Sequence, residues 1–320
     1  MRKFCLVLHF ALFSLLFYSC KSTKAEYYHA LDDYRINEEI TQEQLDSEDY
    51  VFIRFYDVVY DQPLRPGNYL RRPIRIFGKT PDGTVYNHTA LSTYITDDSF
   101  VGLTLSKEKN MARYESVLDK KSNDFMVTNS EFKSRCAVVA IPCSKVDAEN
   151  LKRTLDYVTA KGTKFTYGIT YNLGVPPRHW KNKKKYEKYR NFPIEYAFDS
   201  VSLEDGEEEA FSKRTFVCST FSAYILSKSV TRIRTNFREC NINPFGFTPV
   251  DLYYIDGAFE LFNCRYIDYD QACDEFMAKY PGFRKYLRDY EGDEGDEDES
   301  LPGFNLAPNR FTKKRIVARH

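Results

Sequence analysis

The chain has 320 residues, with 46 Lys and Arg against 46 Asp and Glu, 42% hydrophobic and 16% aromatic content. That is enough to bury one sizeable core or two small ones, and too apolar for wholesale disorder. Twenty-five Tyr and 25 Phe against 14 Gly and 13 Pro exclude collagen-like and low-complexity architectures, and the balanced charge removes a global electrostatic case for nucleic acid as a partner. No repeat of fixed period is visible in the chain, so neither a solenoid nor a propeller is expected.

The amino terminus opens with Met1-Arg2-Lys3 and continues as an apolar run from Phe4 to Ser19. A positive start followed by a run too short for a membrane span reads as an export signal over residues 1–19, cleaved before Cys20. Leu16-Phe17-Tyr18-Ser19-Cys20 resembles the lipobox of bacterial lipoproteins, with Phe17 and Tyr18 bulkier than the common pattern. The resemblance implies a lipid anchor on Cys20 and a place in the bacterial cell envelope, on the periplasmic or outer-membrane face. Loss of residues 1–19 takes Arg2 and Lys3 with it and leaves 44 positive against 46 negative side chains. Residues 20–48 are polar and read as a flexible tether; the folded domain is expected over 49–290.

In chain order, Val51 to Val59 is rich in β-branched and aromatic residues and reads as a strand. Pro66-Gly67-Asn68 is turn chemistry before a strand-like Arg75-Ile76-Phe77. His88 to Ile95 and Phe100 to Leu105 flank a short acidic turn and read as a hairpin. Alternation sets His88, Ala90, Ser92 and Tyr94 on one face, where the small residues leave room beside the histidine. Cys136 to Ile141 reads as a buried strand. Ser144 with Asp147, the Leu151, Leu155, Val158 spacing and Gly162 define a helix over 145–161. Phe165 to Tyr171 reads as the next strand or turn.

The basic, tyrosine-bearing stretch 181–190 reads as a solvated loop, with anionic headgroups as its functional alternative. From Thr215 to Leu226 the period changes at Cys218: extended before it, and helical after it, with Phe221, Tyr224 and Ile225 on one face. A cysteine opening a helix sits where free N–H groups and the helix dipole favour a thiolate. Residues 244–249 read as loop, 259–262 as strand and 269–290 as helix. Residues 291–320 read as a disordered acidic and then basic tail, residues 291–299 holding seven acidic side chains.

Six cysteines remain beside Cys5 and Cys20: Cys136, Cys143, Cys218, Cys240, Cys264 and Cys273. None forms a C-x-x-C pair, so neither a structural zinc site nor a cofactor is expected, and spacing leaves any disulfide pairing open. The histidines of the mature chain are His29, His88, His179 and His320; His29 falls in the tether, His179 in a basic loop and His320 at the last position, which leaves His88 as the one at the entry of a strand.

The order of a histidine at a hairpin strand, a strand–helix–strand block and a cysteine opening a helix resembles the circularly permuted NlpC-type papain-fold family of bacterial amidase-like enzymes. Asn87 to Tyr94 is similar to that family's histidine block, Val217 to Ala223 to its cysteine helix, Gly162 to Tyr167 to its Gly-Lys-Pro-Tyr stretch, and Thr248 to Tyr253 to its late Thr-Pro-x-Asp-Leu segment. The resemblance spans residues 50–265 and implies an α+β, permuted papain-like fold, an antiparallel sheet or half-barrel packed on the helix that starts at Cys218.

It also implies a catalytic set of Cys218, His88 and, as the residue orienting the histidine, Thr104, with Tyr167 as a further donor. Thr104 shares the His88 face only for one of two hairpin registers: a two-residue turn at Asp97-Asp98 points it away, and a one-residue change restores it. Thr220 stands where the family has Glu. The implied activity is hydrolysis of an amide bond by an envelope-tethered cysteine enzyme, with peptidoglycan peptides as first substrate class and lipid acyl chains, by hydrolysis or acyl transfer, as second. The alternative is a catalytically silent papain-like fold that binds a wall peptide or an envelope protein.

Overall fold

The computed structural model describes residues 34–47, 49–57, 86, 88–104, 111–118, 135–160, 166–167, 215–255 and 257–288. The chain divides into units Met1–Tyr290 and Glu291–His320, and all described residues lie in the first. The readings of residues 1–33, of Arg75 to Phe77, of Gly162, of the 181–190 stretch and of the tail fall outside them.

Seven antiparallel strands form the central sheet: β1 (Tyr34–Ile36), β2 (Asp49–Asp57), β3 (His88–Ser92), β4 (Phe100–Thr104), β5 (Met111–Glu115), β6 (Arg135–Cys143) and β9 (Phe259–Arg265), in the order β1-β9-β6-β2-β3-β4-β5. A two-residue parallel pair, β7 (Thr166–Tyr167) with β8 (Thr215–Phe216), stands apart from it. The helices are α1 (Gln42–Leu45), α2 (Lys145–Thr159), α3 (Cys218–Ser229), α4 (Thr231–Glu239), α5 (Pro249–Tyr253) and α6 (Tyr269–Lys279). The class is therefore α+β with an antiparallel sheet.

Alternation sorts the sheet's side chains into two cores. Val51, Ile53 and Phe55 of β2 join Leu91, Val101 and Val139 against Leu151 and Leu155 of α2 and Phe221 and Ile225 of α3. Tyr50, Phe52 and Tyr56 join Phe100, Val138 and Phe262 against Tyr269 and Phe276 of α6. Both faces of β2 and β6 are covered, so these strands read as near-continuous apolar runs instead of the apolar–polar alternation of a one-sided sheet.

Four expectations change. The folded part begins before residue 49, because Tyr34–Ile36 pairs with β9 and Thr41 caps α1, so the 20–48 stretch is not tether throughout. α2 ends at Thr159, with Ala160 as its extended cap, two residues short of the expected end. The expected helix 269–290 stops at Lys279 because Pro281 and Gly282 follow, and the chain continues as a 3-10 segment, Pro281–Tyr286. The 244–249 loop is a 3-10 turn, Pro244–Gly246, leading into α5, whose start Thr248 and Asp251 close by mutual capping.

Candidate active site

His88 is the first residue of β3, opposite Tyr56 of β2. Its neighbour Thr89 turns to the helix layer, where its hydroxyl meets that of Ser222 on α3 at 3.0 Å. His88 itself points to the other face, where its ring packs 5.1 Å from that of Tyr56. Nε2 lies 3.0 Å from both Oε1 and Oε2 of Glu115, the last residue of β5.

That contact crosses two strands. The hairpin register pairs Ala90 with Gly102, and β4 pairs Phe100 with Glu115, so Glu115, Gly102 and His88 lie on one diagonal of the twisted sheet. A side chain at the middle position would block the diagonal: a Cβ on Gly102 would overlap the Glu115 carboxylate. Gly102 thus leaves the gap through which a fully buried glutamate reaches the histidine.

Cys218 opens α3 as its first residue, after Val217 in extended conformation. Thr220 holds that start: its Oγ1 accepts the Val217 N–H at 3.0 Å and donates to the Val217 carbonyl at 3.1 Å. A threonine hydroxyl at this position therefore satisfies the Val217 N–H, as a glutamate there would. Ser219 Oγ donates to the Phe247 carbonyl at 2.9 Å, tying the same turn to the segment before α5.

The Cys218 side chain is hydrogen-bonded to the His88 ring. Nε2 is the ring atom that faces Glu115. Burial by itself lowers the His88 pKa. The Glu115 charge, the charge on Cys218 and hydrogen bonds to both outweigh it and push the imidazole up to about 10. The direction of this shift favours the protonated imidazole. Cys218 and His88 are 4% and 7% exposed.

Of the residues expected at the site, the structure brings His88 and Cys218 together. Thr104 ends β4, its backbone paired with Met111; its side chain lies outside the described residues, as do that of Tyr167 and the whole of Cys20. Glu115 was not singled out from sequence, because β5 is a five-residue strand without apolar alternation. The available signal was Gly102, a glycine inside a strand.

Behind the site, Arg54 is fully buried. Its Nη2 donates to the Glu115 carbonyl at 2.7 Å, its Nη1 to Oδ1 of Asp97 at 2.5 Å and to the Asp97 carbonyl at 2.8 Å, and its Nε to the Tyr56 hydroxyl at 2.7 Å. Among the described residues no cluster of His, Cys, Asp or Glu is placed to hold a metal ion, and no helix is long and apolar enough to cross a membrane. A cavity of about 390 Å³ lined by Lys228, Arg234, Phe237 and Arg238 lies at the opposite end of α3 and takes no part in the Cys218 arrangement. No protein-family model, no curated protein and no solved structure matches the chain.

Proposed function

We propose that the protein is a cysteine hydrolase with a permuted papain-like fold, in which Cys218 is the nucleophile, His88 the acid–base and Glu115 the carboxylate that orients and stabilises the imidazolium. The observation that carries this reading is the His88 ring, held 3.0 Å from a buried carboxylate and hydrogen-bonded as well to a cysteine that begins a helix.

In this reading the resting pair is thiolate and imidazolium. The Cys218 sulphur attacks an amide carbonyl carbon, and the C–N bond breaks as His88 passes its proton to the departing amine. Neutral His88 then takes a proton from water, the hydroxide displaces the sulphur from the thioester, and the imidazolium re-forms. N–H groups of the first turn of α3, which the helix does not use internally, face the developing oxyanion. A carboxylate behind the histidine supports the imidazolium better than the hydroxyl of Thr104 would. With an export signal and a lipid anchor at Cys20, the substrate class is the peptide amides of peptidoglycan, and lipid acyl groups come second.

The test is the pH dependence of Cys218 alkylation by iodoacetamide, with the other cysteines replaced, in the parent and in His88→Ala. Labelling that persists well below about pH 8.5 and moves upward without His88 supports the dyad. Labelling indifferent to His88 overturns it. One observation favours a silent binding fold, the near-complete burial of Cys218; that reading expects no labelling in either protein until it is unfolded.

A further inference from the structure

Cys136 of β6 and Cys264 of β9 are directly opposed in the antiparallel ladder. Both are fully buried, and their sulphurs lie 3.7 Å apart. They occupy one cross-strand row with Tyr34, Tyr56 and His88: Tyr34 pairs with Cys264, Cys136 with Tyr56, and Tyr56 with His88. Directly opposed Cβ atoms in such a ladder stand about 4.5–5.5 Å apart, close to the roughly 3.5–4.5 Å of a disulfide, so rotation about χ1 and a small strand shift bring the sulphurs to bonding distance. The other described cysteines stand elsewhere: Cys143 at the far end of β6, Cys218 on α3, Cys240 after α4 and Cys273 on α6.

We propose that Cys136 and Cys264 form a disulfide that staples β6 to β9 when the chain meets a disulfide donor. Two thiols lose their protons and two electrons, the S–S bond forms, and the donor, oxidised glutathione or a protein disulfide, leaves as two thiols. Burial raises the Cys264 thiol pKa well above its ordinary value, and hydrogen bonding and charge from Cys136 add to the rise; the bond therefore forms as the strands pair, while a thiolate is still accessible, and is shut away from reductants afterwards. It closes a separation of 128 residues, which restricts the unfolded chain strongly. The proposal is independent of the hydrolase reading.

The test refolds the reduced full chain in a mixture of oxidised and reduced glutathione, alkylates it under denaturing conditions and maps peptides without reduction. The expected result is a loss of about 2 Da per chain before alkylation and one cross-linked peptide pair carrying Cys136 and Cys264. The cross-link is absent in Cys136→Ser and in Cys264→Ser and intact in Cys143→Ser, and reduction lowers the Tm by several degrees. The natively folded reduced protein, exposed to the same mixture during partial unfolding in urea, gives a second route if refolding yields are low. Full alkylation of both cysteines by both routes, or a cross-link from Cys136 to any other cysteine, overturns the proposal.

Discussion

Two buried cation–carboxylate pairs lie side by side under the same sheet, and they are built for different ends. Arg54 with Asp97 is closed: the guanidinium is fully buried, its nitrogens donate to Asp97, to the Glu115 carbonyl and to Tyr56, and the rings of Tyr56, Phe100 and Tyr269 stand around it at 5.0, 4.3 and 5.3 Å. Asp97 is equally committed, accepting the N–H groups of Val117 at 2.8 Å and Leu118 at 3.1 Å and the Ser116 hydroxyl. His88 with Glu115 is open at one end, where the imidazole also meets the Cys218 side chain. The same pairing of charges becomes a strut when every nitrogen of the cation has an internal acceptor and a candidate reaction centre when the cation also meets a nucleophile.

The contrast breaks most visibly at Arg54. Arg54→Met leaves the Asp97 carboxylate buried without its cation and is expected to cost about 3–5 kcal/mol in urea unfolding, while the folded fraction keeps the Cys218 labelling profile of the parent. A Cys218 profile that shifts as far as it does in His88→Ala would show that the strut is part of the site.

Glu115→Gln sharpens the other side. It removes the main charge that holds the His88 pKa near 10, so Cys218 alkylation at pH 6.5 should slow roughly 10- to 100-fold, by the free-energy equivalent of one to two pKa units. Stability follows with a defined sign. An imidazole raised from an unfolded value near 6.5 to about 10 contributes stability that is fully present below pH 6.5 and lost as pH rises through 10. The parent should therefore lose stability between pH 6.5 and 10, and Glu115→Gln should show a flatter profile in the same window. Equal slopes would count against the ion pair.

Gly102→Ala tests the diagonal. Its Cβ displaces the Glu115 carboxylate, with an expected cost of about 1–2 kcal/mol and a slowing of Cys218 labelling of about tenfold, equivalent to one pKa unit. The double variant Gly102→Ala with Glu115→Asp should recover part of the labelling rate, because the shorter carboxylate avoids the new methyl. The smallest effect is expected at Thr220→Val, which deletes the hydroxyl that accepts the Val217 N–H and should cost about 1 kcal/mol in unfolding free energy while leaving the pH midpoint of Cys218 labelling unchanged.

Much of the fold was legible where local chemistry and tertiary packing agree. The apolar run at β2, the Ser144-capped α2 and the change of period at Cys218 are set by propensity, capping and alternation within a few residues, and the structure has each of them close to its expected place. β5 and α4 were not read: β5 is short and mixed in composition, and α4 carries Arg232, Arg234 and Arg238 beside buried Ile233 and Phe237, a pattern that gains its helical meaning only against α3. The hairpin was seen, but its register was not, because Thr96 to Ser99 makes a 3-10 turn instead of a two-residue one.

Cys218 and His88 could be proposed from sequence because a cysteine at a change of period and a histidine at a strand entry are local signals whose order resembles that of a known family. Their approach across 130 residues of chain, and the identity of the carboxylate behind the histidine, could not. Glu115 is one of 46 acidic residues, and nothing near it in sequence marks it. Its role exists only where sheet order, hairpin register and the right-handed twist bring β5 diagonally over Gly102 to β3. Residue type and local period therefore determined which groups are chemically able to act, and the pairing of strands distant in sequence decided which of them meet, because register is a property of the whole sheet and is written in no single strand.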